Sequence, residues 1–223
     1  MEYSIQKFIK KRPKTKIVCT IGPASSEVKT LKKMISEGMS VARLNLSHGT
    51  ISQHKMYVEN AKQAANELDT PLGILIDIPG PKYRVGKIIG DSIDIRKGQK
   101  LILGTETKLD GKIVNLKVWP EGIAKEVGKS KEILLDDGLL KLNIDSKKGT
   151  NIYCTALNNA NLKSNKSVTI PGSVNKLDYF TEETVKGLNF AKKINATFVG
   201  LSFIRNSKDI RRVKELYSKS KFY

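Results

Sequence analysis

Ile74–Lys87 reads ILIDIPGPKYRVGK, and this stretch divides the chain. It opens as a continuous apolar strand, ILI, of the kind that parallel sheets bury on both faces. It stops at Asp77 and the Pro79-Gly80-Pro81 break, which punctuates any regular element. A carboxylate, an ammonium and a guanidinium follow at once: Asp77, Lys82 and Arg84. Folds with parallel strands gather their ligand sites at the carboxyl ends of those strands, so a candidate site lies here. A solvated Pro-Gly loop with ordinary surface charges is the other reading.

Upstream, strands and helices alternate. KIVCTIG (Lys16 to Gly22) is an apolar strand closed by Gly22-Pro23. Ser25 or Ser26 then offers a helix cap, and Val28, Leu31, Met34 and Ile35 recur at helical spacing until Gly38. VARLNLS (Val41 to Ser47) is a second strand, and Tyr57, Ala61, Ala64, Ala65 and Leu68 form the inward stripe of a second helix. The third strand is Ile74–Asp77 itself.

Downstream, from about Ile88 to Val168, the period becomes two. DSIDIR, KLILG, KIVNLKVW, EILLDDGLLKLNI, NIYCTALN and KSVTIPG follow one another between glycines, the pattern of a small antiparallel β-barrel, with Asp137-Gly138 as a hairpin signal. Helical spacing then returns. Thr181 can cap a helix with Glu182 and Glu183 in its first turn, and Leu188, Ala191 and Ile194 as its apolar stripe; FVGLSFI (Phe198 to Ile204) is a fourth buried strand. Ser207 and Asp209 open a last helix carrying Ile210, Val213, Leu216 and Tyr217. The expected fold is α/β: a partial (β/α)8 TIM-type barrel with an inserted small all-β barrel domain. Its parts are 1–87, the insertion 88–170, and the continuation 171–223, with four strand-helix units where a closed barrel has eight.

With 223 residues, 39% of them hydrophobic, the chain can form real cores. No apolar run approaches the roughly 20 residues of a membrane span, and the basic start MEYSIQKFIKKRPKTK lacks a secretory apolar core; a cytoplasmic protein is expected. Cys19 and Cys154 lie far apart in strand-like segments, as buried thiols rather than a disulfide or metal site. A net charge of +18 favours anionic ligands. The lysines are spread along the chain and only 6% of residues are aromatic, which argues against nucleic acid and leaves nucleotides and phosphorylated metabolites.

Six segments in order, KIVCTIGPAS, VARLNLSHG, IDIPGPKYRVG, DDGL, KSVTIPG and LSFIR, together resemble pyruvate kinase from about Lys14 to Leu216. The resemblance implies phosphoryl transfer between phosphoenolpyruvate and ADP, giving pyruvate and ATP in glycolysis, with the small domain as a lid. It implies that Arg43 contacts the transferred phosphate, a task suited to a planar guanidinium. Asn45, Ser47, Asp77 and the Ile78 carbonyl match the ligands of a monovalent cation, K+. Arg84 and Lys166 match nucleotide-phosphate contacts. His48 lies in the same signature, with a packed, hydrogen-bonded imidazole as the alternative.

Two departures modify those expectations. One family branch carries threonine and glutamate where this chain has Ile78 and Lys82; the sequence here resembles the other branch, in which the lysine ammonium takes the charge role of potassium and makes K+ dispensable. The lysine that serves the enolate oxygen and the carboxylates that hold Mg2+ fall on family strands with no counterpart in these 223 residues. The chain is therefore expected to be inactive by itself and active with a complementing half, a second polypeptide completing the barrel. The alternative is a noncatalytic nucleotide-binding or scaffold remnant. Self-association through open strand edges is expected when no such partner is present.

Overall fold

The computed structural model describes residues 14–218 except 106, 110–112 and 174. The basic start up to residue 13 and the end at Tyr223 lie outside the described residues. Two compact units result, one made of the described residues up to Gly80 and from Tyr179 onward, the other of Pro81–Asp178.

In the first unit, β1 (Ile17–Thr20), β2 (Met39–Asn45), β3 (Gly73–Ile78) and a late strand, β14 (Phe198–Leu201), form a parallel sheet in the order β1-β2-β3-β14. Helices α1 (Val28–Ser36), α2 (Ile51–Glu67) and α3 (Glu182–Lys193) connect or follow these strands, and α4 (Ser207–Ser218) succeeds β14. Register pairs Ala42 with Ile74 and Leu44 with Ile76. Because strand side chains alternate in direction, Ala42, Leu44, Ile74, Ile76 and Ile78 share one face. They are buried with Leu31, Ala61 and Leu188 of the helices in one core. Thr20, Arg43, Asn45, Leu75 and Asp77 occupy the opposite face by the same register. That face is only partly buried, so Leu75 is half-exposed and β3 is not buried on both sides as its apolar run suggests.

The helix starts differ in two places from the expected caps. Ser25 and Ser26 do not cap α1: Ser25 closes the preceding 3₁₀ turn Pro23–Ser25 by accepting the Gly22 N–H at 3.1 Å, and Glu27 takes the cap position. α4 is opened by Asn206, whose Oδ1 accepts from the N–H groups of Lys208 and Asp209 at 2.9 and 3.2 Å. Two nearby amides thus share one acceptor. Thr181 does cap α3, accepting from Thr184 N–H at 3.2 Å. Glu182 and Glu183 in its first turn and Lys192 and Lys193 in its last complement the helix dipole. The fourth strand ends at Leu201 rather than Ile204, since Phe203 adopts a left-handed φ of 60°. On α4 only Val213 of the expected stripe is buried; Ile210 and Leu216 are exposed, as α4 accompanies an edge strand.

The second unit closes on itself. β4 (Tyr83–Val85), β6 (Lys100–Gly104), β8 (Ile113–Trp119), β9 (Glu132–Leu135), β10 (Leu140–Lys148), β11 (Asn151–Ala156) and β13 (Ser167–Thr169) form a seven-strand ring, closed by β4 pairing with β8. Closure removes unpaired edges. β7 (Lys108–Leu109) lies outside β8, and β5 (Ser92–Ile95) pairs with β12 (Ala160–Lys163) in a separate ribbon. Pairing is antiparallel except between β6 and β8, which run parallel. That exception follows from the order β6-β8-β7: the chain passes over to β7 and returns between the two, so β8 runs with β6. Leu101, Leu103, Leu116, Ile133, Leu135 and Leu140 fill the interior, each at most 1% exposed.

Candidate functional site

In the first unit the carboxyl end of the sheet carries a polar cluster on its half-buried face. Arg43 pairs by register with Leu75, and Asp77 lies one pleat further along the same face. The Arg43 guanidinium therefore reaches Asp77 diagonally. Its Nε donates to Asp77 Oδ2 at 3.0 Å, its Nη2 donates to the same oxygen, and its Nη1 donates to Thr20 Oγ1 at 2.7 Å. Ser202 Oγ completes the carboxylate by donating to Oδ1 at 3.1 Å. Asp77 is 15% exposed and Arg43 34%. A guanidinium fixed on two sides in this way is held in one orientation while its side chain stays partly exposed.

The residues matched to a cation site sit beside this pair. Asn45 Oδ1 accepts the Ser47 N–H at 3.0 Å, and the Ile78 carbonyl accepts the Ser202 N–H at 3.2 Å. Together with the Arg43 and Ser202 contacts to Asp77, these bonds engage the named oxygens of Asn45, Asp77 and Ile78. Each of these oxygens thus already accepts at least one hydrogen bond. No group of three His, Cys, Asp or Glu side chains that could hold a metal occurs among the described residues. His48 is exposed rather than packed. The buried imidazole is His54, whose Nε2 donates to the His48 carbonyl at 2.7 Å.

The second unit gathers Lys82, Arg84 and Lys166. Arg84 on β4 lies opposite Ser167 on β13, directly after Lys166. Arg84 Nη1 donates to the Asn165 carbonyl at 2.9 Å, and the Lys166 carbonyl accepts the Val85 N–H at 2.8 Å. The β9–β10 turn, Asp136-Asp137-Gly138, meets these cations. Lys166 Nζ is 3.0 Å from Asp136 Oδ1 and Lys82 Nζ is 3.3 Å from Asp137 Oδ1. Ser167 Oγ donates to Asp137 Oδ1 at 2.7 Å and accepts the Asp137 N–H at 2.8 Å. The Ser167 hydroxyl first, and then the Lys82 charge, hold the Asp137 carboxyl below its ordinary range. Beneath this surface Tyr83 donates to the buried Glu126 at 3.1 Å; burial first, then Glu126, pushes the phenol up.

Sequence reading missed Thr20, Ser202 and Ser167, whose hydroxyls hold the named charges. Each lies inside a motif already singled out, beside a strand end, which is the one signal that could have marked it. Tyr179 was also missed. It is fully buried, its phenol oxygen has no hydrogen-bond partner, and burial, followed by the Asp209 charge, pushes it up to about 12.

Residues 12–222 match the family described as pyruvate kinase, barrel domain. The pyruvate kinase of Thermococcus litoralis is 38% identical over 206 residues, which take in 92% of this chain and 43% of that protein. The pyruvate kinases of Staphylococcus aureus strains USA300 and NCTC 8325 are each 36% identical over 211 residues, or 93% of this chain and 36% of theirs. The chain thus spans less than half the length of these relatives. With an alternating parallel sheet, an inserted closed β-barrel and a match along nearly its whole sequence, this chain belongs to the pyruvate kinase family.

Proposed function

We propose that these residues form the phosphate- and nucleotide-binding part of an enzyme that transfers a phosphoryl group between phosphoenolpyruvate and ADP in the cytoplasm. The observation that carries this reading is the juxtaposition of Arg84 on β4 with Lys166 just before the adjoining β13, with Lys82 ion-paired to the same β9–β10 turn as Lys166. Phosphoryl transfer asks for cations that hold phosphate oxygens in line more than for covalent chemistry. Arg84 and Lys166 bind the nucleotide phosphates. Arg43, oriented by Asp77 and Thr20, presents its guanidinium to the transferred phosphate. Lys82 supplies the fixed charge that makes K+ dispensable, as its place after Pro79-Gly80-Pro81 in the family-like segment suggests. Mg2+, implied by family membership, would supply neutralisation of phosphate charge when bound; no group of three His, Cys, Asp or Glu side chains able to hold it occurs among the described residues.

Two measurements test the proposal. Calorimetry should show weak ADP binding by residues 1–223, falling with salt because the contacts face solvent, little helped by Mg2+, and lost on combined Arg84→Ala and Lys166→Ala substitution. Equal affinities would remove Arg84 and Lys166 from the site. Residues 1–223 alone should form no measurable pyruvate, since each missing electrostatic group commonly carries about 10²-fold or more in rate. Robust turnover would overturn the assignment of those groups to a complementing half.

A further inference from the structure

Lys166, assigned to nucleotide phosphate, and Lys82 beside it already have anionic partners. Asp136 and Asp137 are consecutive, both with left-handed φ values of 50° and 53°, and each meets a different lysine. Ser167, next to Lys166, ties the turn down at both the backbone and the side chain of Asp137. The Asp136 side chain is 15% exposed, whereas that of Asp137 is 79% exposed. The inner carboxylate thus holds its lysine with less competition from water than the outer one does.

We propose that the Asp136-Asp137 turn is an internal counter-anion that occupies Lys166 and Lys82, and that a nucleoside diphosphate must displace it to bind. This rests on the nucleotide-binding reading of Arg84 and Lys166. A carboxylate and a phosphate on one ammonium repel each other, so ligand binding has to drive the carboxylate away. That displacement weakens the nucleotide relative to a site without the two carboxylates. The same contacts keep the two lysines apart from bulk polyanions, to which a chain of net charge +18 would otherwise offer them. Asp136 and Asp137 are in this sense selectivity residues: they lower affinity for a single negative charge more, in proportion, than for a diphosphate that engages Arg84 as well.

The test is ADP calorimetry at low ionic strength on the full chain and three variants. Asparagine keeps the side-chain shape and tolerates the left-handed backbone. Asp136→Asn should tighten ADP by about three- to tenfold, and Asp137→Asn by less. Asp145→Asn, which removes a carboxylate paired with Lys100 at 3.0 Å, serves as the control and should leave affinity unchanged. Unchanged or weaker binding by Asp136→Asn, or equal tightening by Asp145→Asn, overturns the proposal. Should Asp136→Asn fail to fold by circular dichroism, the more exposed Asp137→Asn decides, and no tightening there overturns it. Failure of the underlying reading looks different: wild-type affinity, if any, then survives the loss of Arg84 and Lys166.

Discussion

Cys154 points into the closed barrel from β11 at 1% exposure, and burial, with a smaller contribution from Asp145, pushes its thiol up to about 12. Cys19 lies on the edge strand β1 and is only half-buried, so the expectation of two buried thiols holds for one. The thiolate is the reactive form. Iodoacetamide at pH 8 should therefore label Cys19 and leave Cys154 unmodified in the folded chain; mass spectrometry showing equal labelling would contradict the burial. The linked stability follows. The folded pKa is raised above the ordinary value of 9.0, so this contribution is complete below about pH 9 and is lost as pH rises toward 12, when only the unfolded state releases the proton. At the same scale, on the role proposed for Lys82, any assembly of this chain that forms pyruvate should work without added potassium. Lys82→Glu should then create a cation requirement, measured as the potassium dependence of pyruvate formation; strong dependence in the unmodified assembly would contradict the role of Lys82. Arg43 and Asp77 were legible as charged residues at strand ends. That they bind each other was not, because the contact depends on the β2–β3 register across 34 positions. Thr20 and Ser202 escaped notice because a hydroxyl near a strand end has many ordinary uses.

Among the elements, those inside a longer apolar or alternating run were legible, the short β1, β5, β9, β13 and β14 included, whereas β4, β7 and β12 were not. KLILG, KIVNLKVW and NIYCTALN became β6, β8 and β11, while β4, β7 and β12 are too short to show an alternation. β4 matters most of these, for its pairing with β8 closes the ring. The parallel β6–β8 pair was equally hidden, since strand direction is set by chain crossing and leaves no local period. Two substitutions probe how elements are joined. A Cβ at Gly80 would lie 2.1 Å from the Ser202 carbonyl oxygen, a backbone atom that cannot swing aside. Gly80→Ala should force the exits of β3 and β14 apart and destabilise the first unit by about 2 kcal/mol, read from urea unfolding; an unchanged midpoint would contradict the close approach. In the second unit, Glu126 accepts from the Tyr83 hydroxyl at 3.1 Å and from the Lys176 N–H at 2.9 Å. Glu126→Ala leaves both donors without this acceptor, at a cost of roughly 2–4 kcal/mol if both stay dry. Glu126→Gln, which keeps an acceptor oxygen, should lose less. Equal losses for the two substitutions would mean that the hydrogen bonds contribute little.

At the scale of the molecule, the second unit has closed its main sheet whereas the first has two open edges among the described residues, β1 and β14. Those edges expose apolar side chains: Ile17 is 43% exposed, Val18 50% and Phe198 49%. Beside β14, a groove of about 290 Å³ is lined by Val199, Leu201, Ile210, Val213 and Tyr217. Unpaired backbone groups together with apolar side chains make an edge a template for another strand. Neither edge carries the protection found elsewhere in soluble sheets, such as an inward-pointing charge or a proline within the strand. Residues 1–223 in isolation should therefore self-associate at micromolar concentration, by edge pairing between copies, while the closed barrel of Pro81–Asp178 keeps its fold. Val18→Lys with Phe198→Lys places a charge at each edge and should shift the population toward monomer. Sedimentation velocity reads the outcome directly. A well-folded wild-type monomer with no concentration dependence would show that the exposed edges are not adhesive. Monomer recovery only after the lysine substitutions would locate the association at β1 and β14 rather than in the general basic surface, where two further positive charges would have a far smaller effect on a chain already at +18.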